Sequence, residues 1–136
     1  SHVGHNCRVE RNVILVNGAM LGGHVHVAER AFISGGAAVH QFCRVGRLTL
    51  VAAMSAVTKD APPFSIVTGG YPLRWRAPNT IGLRRAGFDS ASRAAVRHAL
   101  WSLFRSGESP KQVAEELFQS PVAEVVELAR FVLESK

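Results

Sequence analysis

Residues 15–51 read LVNGAMLGGHVHVAERAFISGGAAVHQFCRVGRLTLV, and an aliphatic side chain returns at every sixth position: Leu15, Leu21, Val27, Ile33, Val39, Val45 and Val51. The same phase takes in Val3 and Val9 before this stretch and Val57 after it. Only 16 of the first 62 residues are Val, Ile or Leu, so ten hits in ten positions would arise by chance roughly once in a million. Four residues further on in each hexad the side chain is small: Cys7, Val13, Ala19, Val25, Ala31, Ala37, Cys43, Thr49, Ser55 and Ala61. A period of six is neither the 3.6 of a helix nor the 2 of an ordinary strand. It is the signature of a hexapeptide β-helix, in which each hexad forms one face of a triangular prism and three hexads form a coil. Residues 18 apart then lie directly above one another, which tells which side chains meet.

A chain of 136 residues, 47% hydrophobic, is large enough for one core and a small appendage. The longest apolar run is far short of a membrane span, and no charged-then-apolar leader is visible. A cytoplasmic protein without an integral membrane segment is the expectation. The hexad pattern is already in phase at Val3, so the chain reads as starting mid-prism or as having its natural start upstream. Cys7 and Cys43 occupy the small inward slot two coils apart. At the strand spacing their sulfurs would be about 10 Å apart, too far for a disulfide, so reduced packing cysteines are expected.

The net charge of +6 is unevenly spread. Between Asp60 and Asp89 there is no acidic residue, while Arg74, Arg76, Arg84 and Arg85 fall there, and Arg93, Arg97 and Arg105 continue the run. A localised basic face implies an acidic partner: nucleic acid, anionic lipid, a phosphorylated small molecule or an acidic protein. The bland alternative is a solvated arginine face with no partner.

Three segments are expected: a β-helix over residues 1–63, an irregular basic connection over 64–88, and a helical domain over 89–136. Pro62-Pro63 should end the regular ladder, because proline removes a backbone donor. Asp89 or Ser90 can cap a helix with Val96, Leu100, Leu103 and Phe104 on its apolar face, stopped at Gly107. Ser109-Pro110 with Gln112 has capping-box spacing, with Val113, Leu117 and Phe118 behind it. Ser120-Pro121 repeats the start signal before Val122, Val125, Val126, Leu128, Ala129 and Val132. These three helices are expected to form a cap over the prism's open end. The prism is too narrow to bury its outward apolar residues Ile14, Val16, Leu48 and Leu50, which a homotrimer would hide.

Stacking at 18 residues also gathers chemistry. Gly4-His5-Asn6, Gly22-Gly23-His24 and His40-Gln41-Phe42 fall on one corner, placing His5, His24, His40 and Gln41 within about 10 Å along the axis. Gly4, Gly22 and Gly23 are expected to supply positive φ and close backbone approach there. Stacked histidines pointing outward suit binding or proton transfer. Two chemistries fit: a general base acting on a hydroxyl, or zinc held by histidines of neighbouring chains. The structural alternative is surface histidines that donate to turn carbonyls.

With these residues in hand, the chain resembles the C-terminal half of the acyl-carrier-protein–UDP-N-acetylglucosamine O-acyltransferases. The matching stretches are His2 to Cys7 (HVGHNC), Ala19 to Val25 (AMLGGHV), Ala38 to Cys43 (AVHQFC), Val57 to Pro63 (VTKDAPP) and Gly82 to Phe88 (GLRRAGF). The resemblance implies a left-handed prism, a homotrimer with active sites between subunits, and transfer of a hydroxyacyl chain to the sugar 3-hydroxyl in the first step of lipid A biosynthesis. The donor is an acyl carrier protein thioester, with no metal or other cofactor and no nucleic acid. By resemblance His5 is the general base and His24, His40 and Gln41 bind substrate. Asn79 and Arg85 contact the nucleotide or its phosphates, and Ala53 lies near the acyl-chain pocket. Arg74, Arg76, Arg84, Arg93 and Arg97 belong to the surface that meets the carrier protein. Asn6 stands where the family has Asp, Ala86 stands where it has Arg, and the family's N-terminal coils are absent. Those departures imply a fragment or truncated relative that keeps its fold better than its activity. Three other functions share the pattern: a sibling N-acyltransferase, a zinc hydratase, and a non-catalytic trimeric remnant that binds carrier protein.

Overall fold

The computed structural model describes residues 1–135, in two compact units, Ser1–Ala77 and a second that begins at Pro78. The first unit opens with ten two-residue strands: β1 (His2–Val3), β2 (Arg8–Val9), β3 (Ile14–Leu15), β4 (Met20–Leu21), β5 (His26–Val27), β6 (Phe32–Ile33), β7 (Ala38–Val39), β8 (Arg44–Val45), β9 (Leu50–Val51) and β10 (Ala56–Val57). They stack into three parallel sheets, β1-β4-β7-β10, β2-β5-β8 and β3-β6-β9, in the 18-residue register expected: Val3 lies on Leu21, Val9 on Val27 and Leu15 on Ile33. The hexad aliphatics from Leu21 to Val57 fill the interior and are buried, with the small residues Ala19, Val25, Ala31, Ala37 and Cys43 between them.

Every sixth residue from 6 to 54 turns a corner in the left-handed region: Asn6, Asn12, Gly18, His24, Arg30, Gly36, Phe42, Leu48 and Met54, with φ between 57° and 80°. At these corners the chain turns from one face of the prism to the next, and from His24 to Met54 the corner residue's N–H donates back one coil. His24 N reaches His5 O and Phe42 N reaches Gly23 O, each at 3.0 Å.

Pro62-Pro63 does not end the ladder. A fourth layer follows, in which Ala61 bridges Val45 and β11 (Ser65–Gly69) lies parallel on β9, Ile66 on Leu50 and Val67 on Val51. This layer is two residues short, sixteen rather than eighteen. The deletion falls in the turn after β10 and is repaired by a side chain. In earlier coils Arg8 N and His26 N donate to the main-chain carbonyls of Val25 and Cys43. Arg44 N donates instead to Asp60 Oδ1 at 2.8 Å, and Arg44 Nε to Asp60 Oδ2 at 3.1 Å. Proline is tolerated because of where it falls. The corner donors Glu10, Ala28 and Gly46 each reach a carbonyl one layer on, in Val27, Val45 and Ala61. Pro62 is next in that series, where an N–H would point past the last layer of its sheet. Phe64, at φ 64°, completes the corner column of Asn12, Arg30 and Leu48 and is fully buried. This extra layer also corrects the expectation for Leu48, whose side chain at its corner is covered rather than exposed.

The segment expected to be irregular, residues 64–88, is therefore largely regular. After β11 a three-residue connection leads to β12 (Leu73–Pro78), which pairs with β11. So short a link allows only an antiparallel pair. Helix α1 (Thr80–Arg85) then opens the second unit. That unit continues with α2 (Ser90–Phe104), α3 (Pro110–Leu117) and α4 (Ala123–Glu134), whose buried faces are Val96, Ala99, Leu100 and Leu103, then Val113 and Ala114, then Val125, Leu128, Ala129 and Val132. Asp89 caps α2, accepting from Ser92 N at 2.7 Å, and that bond holds its carboxyl below the usual carboxylate range. The capping box expected at Ser109 does not form: Pro110 supplies the first helical position, and Ser109 makes no side-chain cap. Lys111 instead reaches the far end of α4, donating to Val132 O and Leu133 O at 2.8 and 3.0 Å.

Replacing Asp60 by alanine should remove the acceptor that substitutes for main chain and destabilise the protein by about 1–3 kcal/mol, the range for a stranded buried donor. Asp60→Asn keeps an acceptor oxygen and should lose less. Equal denaturation midpoints for wild type and Asp60→Ala would contradict this account.

Candidate active site

The corner between the β1 and β2 sheets carries the histidines. Its three columns are Gly4-Gly22-His40, His5-Gly23-Gln41 and Asn6-His24-Phe42, each one register step apart. The turn geometry places the last column in the left-handed region (φ 57°, 59° and 65°), so its side chains splay outward. His24 and Phe42 lie parallel, with ring centroids 4.7 Å apart and planes 4° apart. His5 meets His24 edge-to-face, with centroids 5.1 Å apart and planes at 89°. Aromatic rings favour both arrangements. The three rings hold one another in an exposed position without burial.

The glycines have a different role from the one expected. None of Gly4, Gly22 and Gly23 is among the positive-φ residues; that conformation falls on Asn6, His24 and Phe42. What the glycines supply is close approach. A Cβ on Gly22 would stand 2.7 Å from Gln41 N, and one on Gly23 would stand 3.1 Å from both Cε1 and Nε2 of His5. The missing side chain at 23 is the floor on which the His5 imidazole lies.

His40 sits one column over and half-buried, its Nε2 3.2 Å from the Tyr71 hydroxyl. Gln41 is exposed beside it. Cys43 follows on the chain and is buried. Burial, with the Asp60 carboxylate adding to it, pushes its thiol up, so it is no thiolate nucleophile at neutral pH. Both cysteines are free, and Cys7 Sγ donates to Gly22 O at 3.1 Å. Among the described residues no group of three or more His, Cys, Asp or Glu is placed to hold a metal ion.

The remaining expected residues lie elsewhere. Ala53 is exposed on a different corner of the prism, between β9 and β10, next to Met54, which is 81% exposed. Arg74 and Arg76 project from β12, and Arg76 Nε donates to Thr68 Oγ1 at 2.7 Å. Asn79 is the N-cap of α1, its Oδ1 accepting from Gly82 N at 3.2 Å. Arg84 and Arg85 form the last turn of that helix, where cations complement the helix dipole. On α2, Arg97 is exposed, whereas Arg93 Nη1 donates to Phe88 O at 2.7 Å. Sequence reasoning did not single out Phe42 or Tyr71. The 18-residue spacing from His24 was signal enough for Phe42, whereas Tyr71 arrives from a turn with no such register.

A family model described as UDP N-acetylglucosamine O-acyltransferase, domain 2, matches residues 60–136. The chain belongs to the UDP-N-acetylglucosamine O-acyltransferase family. It is 42% identical over 120 residues to the acyl-[acyl-carrier-protein]–UDP-N-acetylglucosamine O-acyltransferase of Synechocystis, covering 88% of this chain and 43% of the relative. With the enzyme of the same name from Aliarcobacter butzleri it shares 38% over 136 residues, 99% of this chain and 52% of the relative. Among solved structures, UDP-N-acetylglucosamine acyltransferase from Campylobacter jejuni superposes with a TM-score of 0.91 at 33% identity, covering 97% of this chain and 52% of that one. The chain spans about half the length of the relatives it matches. The fold of its family is the left-handed parallel β-helix with C-terminal helices.

Chemically, the corner offers exposed imidazoles fixed by rings and backbone rather than by burial. That suits proton transfer to or from a bound hydroxyl more than covalent catalysis. Adding a methyl group at position 23 tests the seating of His5. Gly23→Ala should displace its ring and shift the imidazole NMR resonances of both His5 and His24 while leaving the far-ultraviolet circular dichroism unchanged. Unmoved resonances would show that the ring does not rest on Gly23.

Proposed function

We propose that this chain carries the general base and acceptor-binding corner of an acyltransferase that moves a hydroxyacyl chain from acyl carrier protein to the 3-hydroxyl of UDP-N-acetylglucosamine, in the first step of lipid A biosynthesis. The observation that carries this reading is the open, ring-braced His5 within a chain of this family. In the reaction, the His5 imidazole takes the proton of the sugar hydroxyl as its oxygen attacks the thioester carbonyl. The tetrahedral oxyanion collapses, the carbon–sulfur bond breaks, and the leaving thiolate takes the proton back from the imidazolium. The products are a sugar ester and the free carrier thiol, and no redox or metal chemistry is needed. His24, His40 and Gln41 supply donors to the acceptor. By family resemblance Asn79 and Arg85 are assigned to binding the nucleotide or its phosphates, and Ala53 to the acyl pocket. Arg74, Arg76, Arg84, Arg93 and Arg97 attract the acidic carrier protein. No described helix is long and apolar enough to cross a membrane, and the cytoplasm is the compartment this reading expects.

Assembly as a homotrimer belongs to the same proposal. The outward column of the β3-β6-β9-β11 sheet is apolar, with Ile14 52% exposed and Phe32, Leu50 and Ile66 half-buried. Parallel sheets are ordinarily covered on both faces. The β2-β5-β8 sheet is unlike it, presenting Arg8, His26 and Arg44 with His26 paired to Glu10 and Arg44 to Asp60. An apolar face on one side and a charged one on another suit a closed ring of identical chains.

Two measurements test the proposal. His5→Ala should lower the rate of acyl transfer by about 10²–10⁴-fold, the usual contribution of a general base, while nucleotide binding by titration changes far less. Transfer at an unaltered rate would exclude His5 as the base. Sedimentation at micromolar concentration should give the mass of three chains; the mass of one would overturn the trimer.

A further inference from the structure

The turn between β11 and β12 folds back on the histidine corner and is tied there. Thr58 follows Gly4, Gly22 and His40 in the same corner column, directly beyond His40. Its hydroxyl donates to the carbonyl of Gly70. The next residue, Tyr71, is 82% exposed, so burial does not orient it. Its ring nonetheless lies against His40, with centroids 5.7 Å apart and planes at 57°, and its hydroxyl is 3.2 Å from His40 Nε2. One fold feature thus sets an exposed phenol on one nitrogen of an imidazole that faces the candidate site.

We propose that Tyr71 is a positioning residue: its hydroxyl occupies His40 Nε2, fixing the imidazole as the Nδ1–H tautomer and orienting it as a hydrogen-bond donor to the acceptor sugar nucleotide. The chemistry follows from the two groups. A phenol is the better donor and a neutral imidazole nitrogen the better acceptor, so the proton stays on oxygen and Nε2 accepts. Which ring nitrogen carries hydrogen is set by the bond that the other makes. With Nε2 engaged, Nδ1 keeps the hydrogen and presents a donor of one direction. Sugar hydroxyls and phosphates are rich in acceptors, so an imidazole locked as a donor binds them without first losing the alternative tautomer. Thr58 is the second element of the device, since it anchors the turn that carries Tyr71.

The role as tautomer lock stands on this chain's geometry alone; the role in nucleotide binding rests on the proposed function. The experiment separates them. Nitrogen-15 NMR of the imidazoles, on the full chain at a pH where His40 is neutral, should show His40 predominantly as Nδ1–H. In Tyr71→Phe it should shift toward a mixture containing Nε2–H, with circular dichroism unchanged. The same tautomer in both proteins would overturn the inference. Titration with UDP-N-acetylglucosamine should then show roughly 3- to 10-fold weaker binding for Tyr71→Phe, the effect of one hydrogen bond. In a His40→Ala background the Tyr71→Phe change should have no further effect, because the two act as one unit. Equal losses in both backgrounds would overturn the positioning role. Absence of nucleotide binding by wild type, with the tautomer shift present, would retire the proposed function and leave the lock standing.

Discussion

Everything in the first unit depends on one register, the 18-residue step that sets each strand pair on the one before. Two-residue strands make too few bonds to persist alone, and the corners between them are unfavourable. Seven of the nine corner residues from 6 to 54 are not glycine, yet all hold positive φ. That conformation costs an L-residue about 1–2 kcal/mol. The cost is offset because corners from His24 onward and strands throughout bond to the neighbouring coil, and an interior of aliphatic residues locks the phase. A coil out of step would lose its ladder bonds and expose its hexad aliphatics together.

The same constraint builds the site. Because a corner residue must be left-handed, its side chain leaves the prism at a fixed angle, and residues 18 apart present parallel side chains. His24 and Phe42 stack for this reason, and His5, one position earlier on the previous coil, meets them edge-on. Gly23 completes the seat by having no Cβ where the His5 ring lies. No buried charge or metal is called upon. Backbone geometry sets the orientation of the imidazoles, so the surface histidines are ordered before any ligand arrives, which is the condition for acid–base chemistry to gain from positioning.

The prism and its histidine corner were legible because a strict period turns sequence distance into spatial distance. Where the period breaks, local rules misled. Pro62-Pro63 reads as a stop signal, since a proline removes a donor. These residues stand on the last layer of their sheet, past the final bond of its ladder, from Gly46 N to Ala61 O. Leu48 reads as outward in a regular hexad and is covered because the shortened fourth layer brings Phe64 over its column. Ser109 has capping-box spacing, yet its side chain makes no cap, since spacing alone does not fix which way the hydroxyl turns. The hand of the coil is not in the spacing at all. General crossover preference favours the right-handed form, and only the family relationship supplied the left-handed one. Tyr71 was invisible for a related reason: it reaches His40 from a hairpin, across a distance that no repeat encodes.

The shortened final layer has a consequence for the solubility of the whole architecture. A coil built by repetition has no intrinsic length, and each open end presents strands onto which a further chain can add, the geometry from which filaments grow. The last layer here resists such growth in two of its three sheets. Pro62 offers no N–H along the direction of extension, and β12 covers β11 with a strand of the opposite sense, which breaks the parallel series. A change that restored the regular eighteen residues and replaced Pro62 would therefore do more than lengthen a turn. It would return to that layer a main-chain donor pointing along the stacking axis, the feature through which one such layer accepts the next.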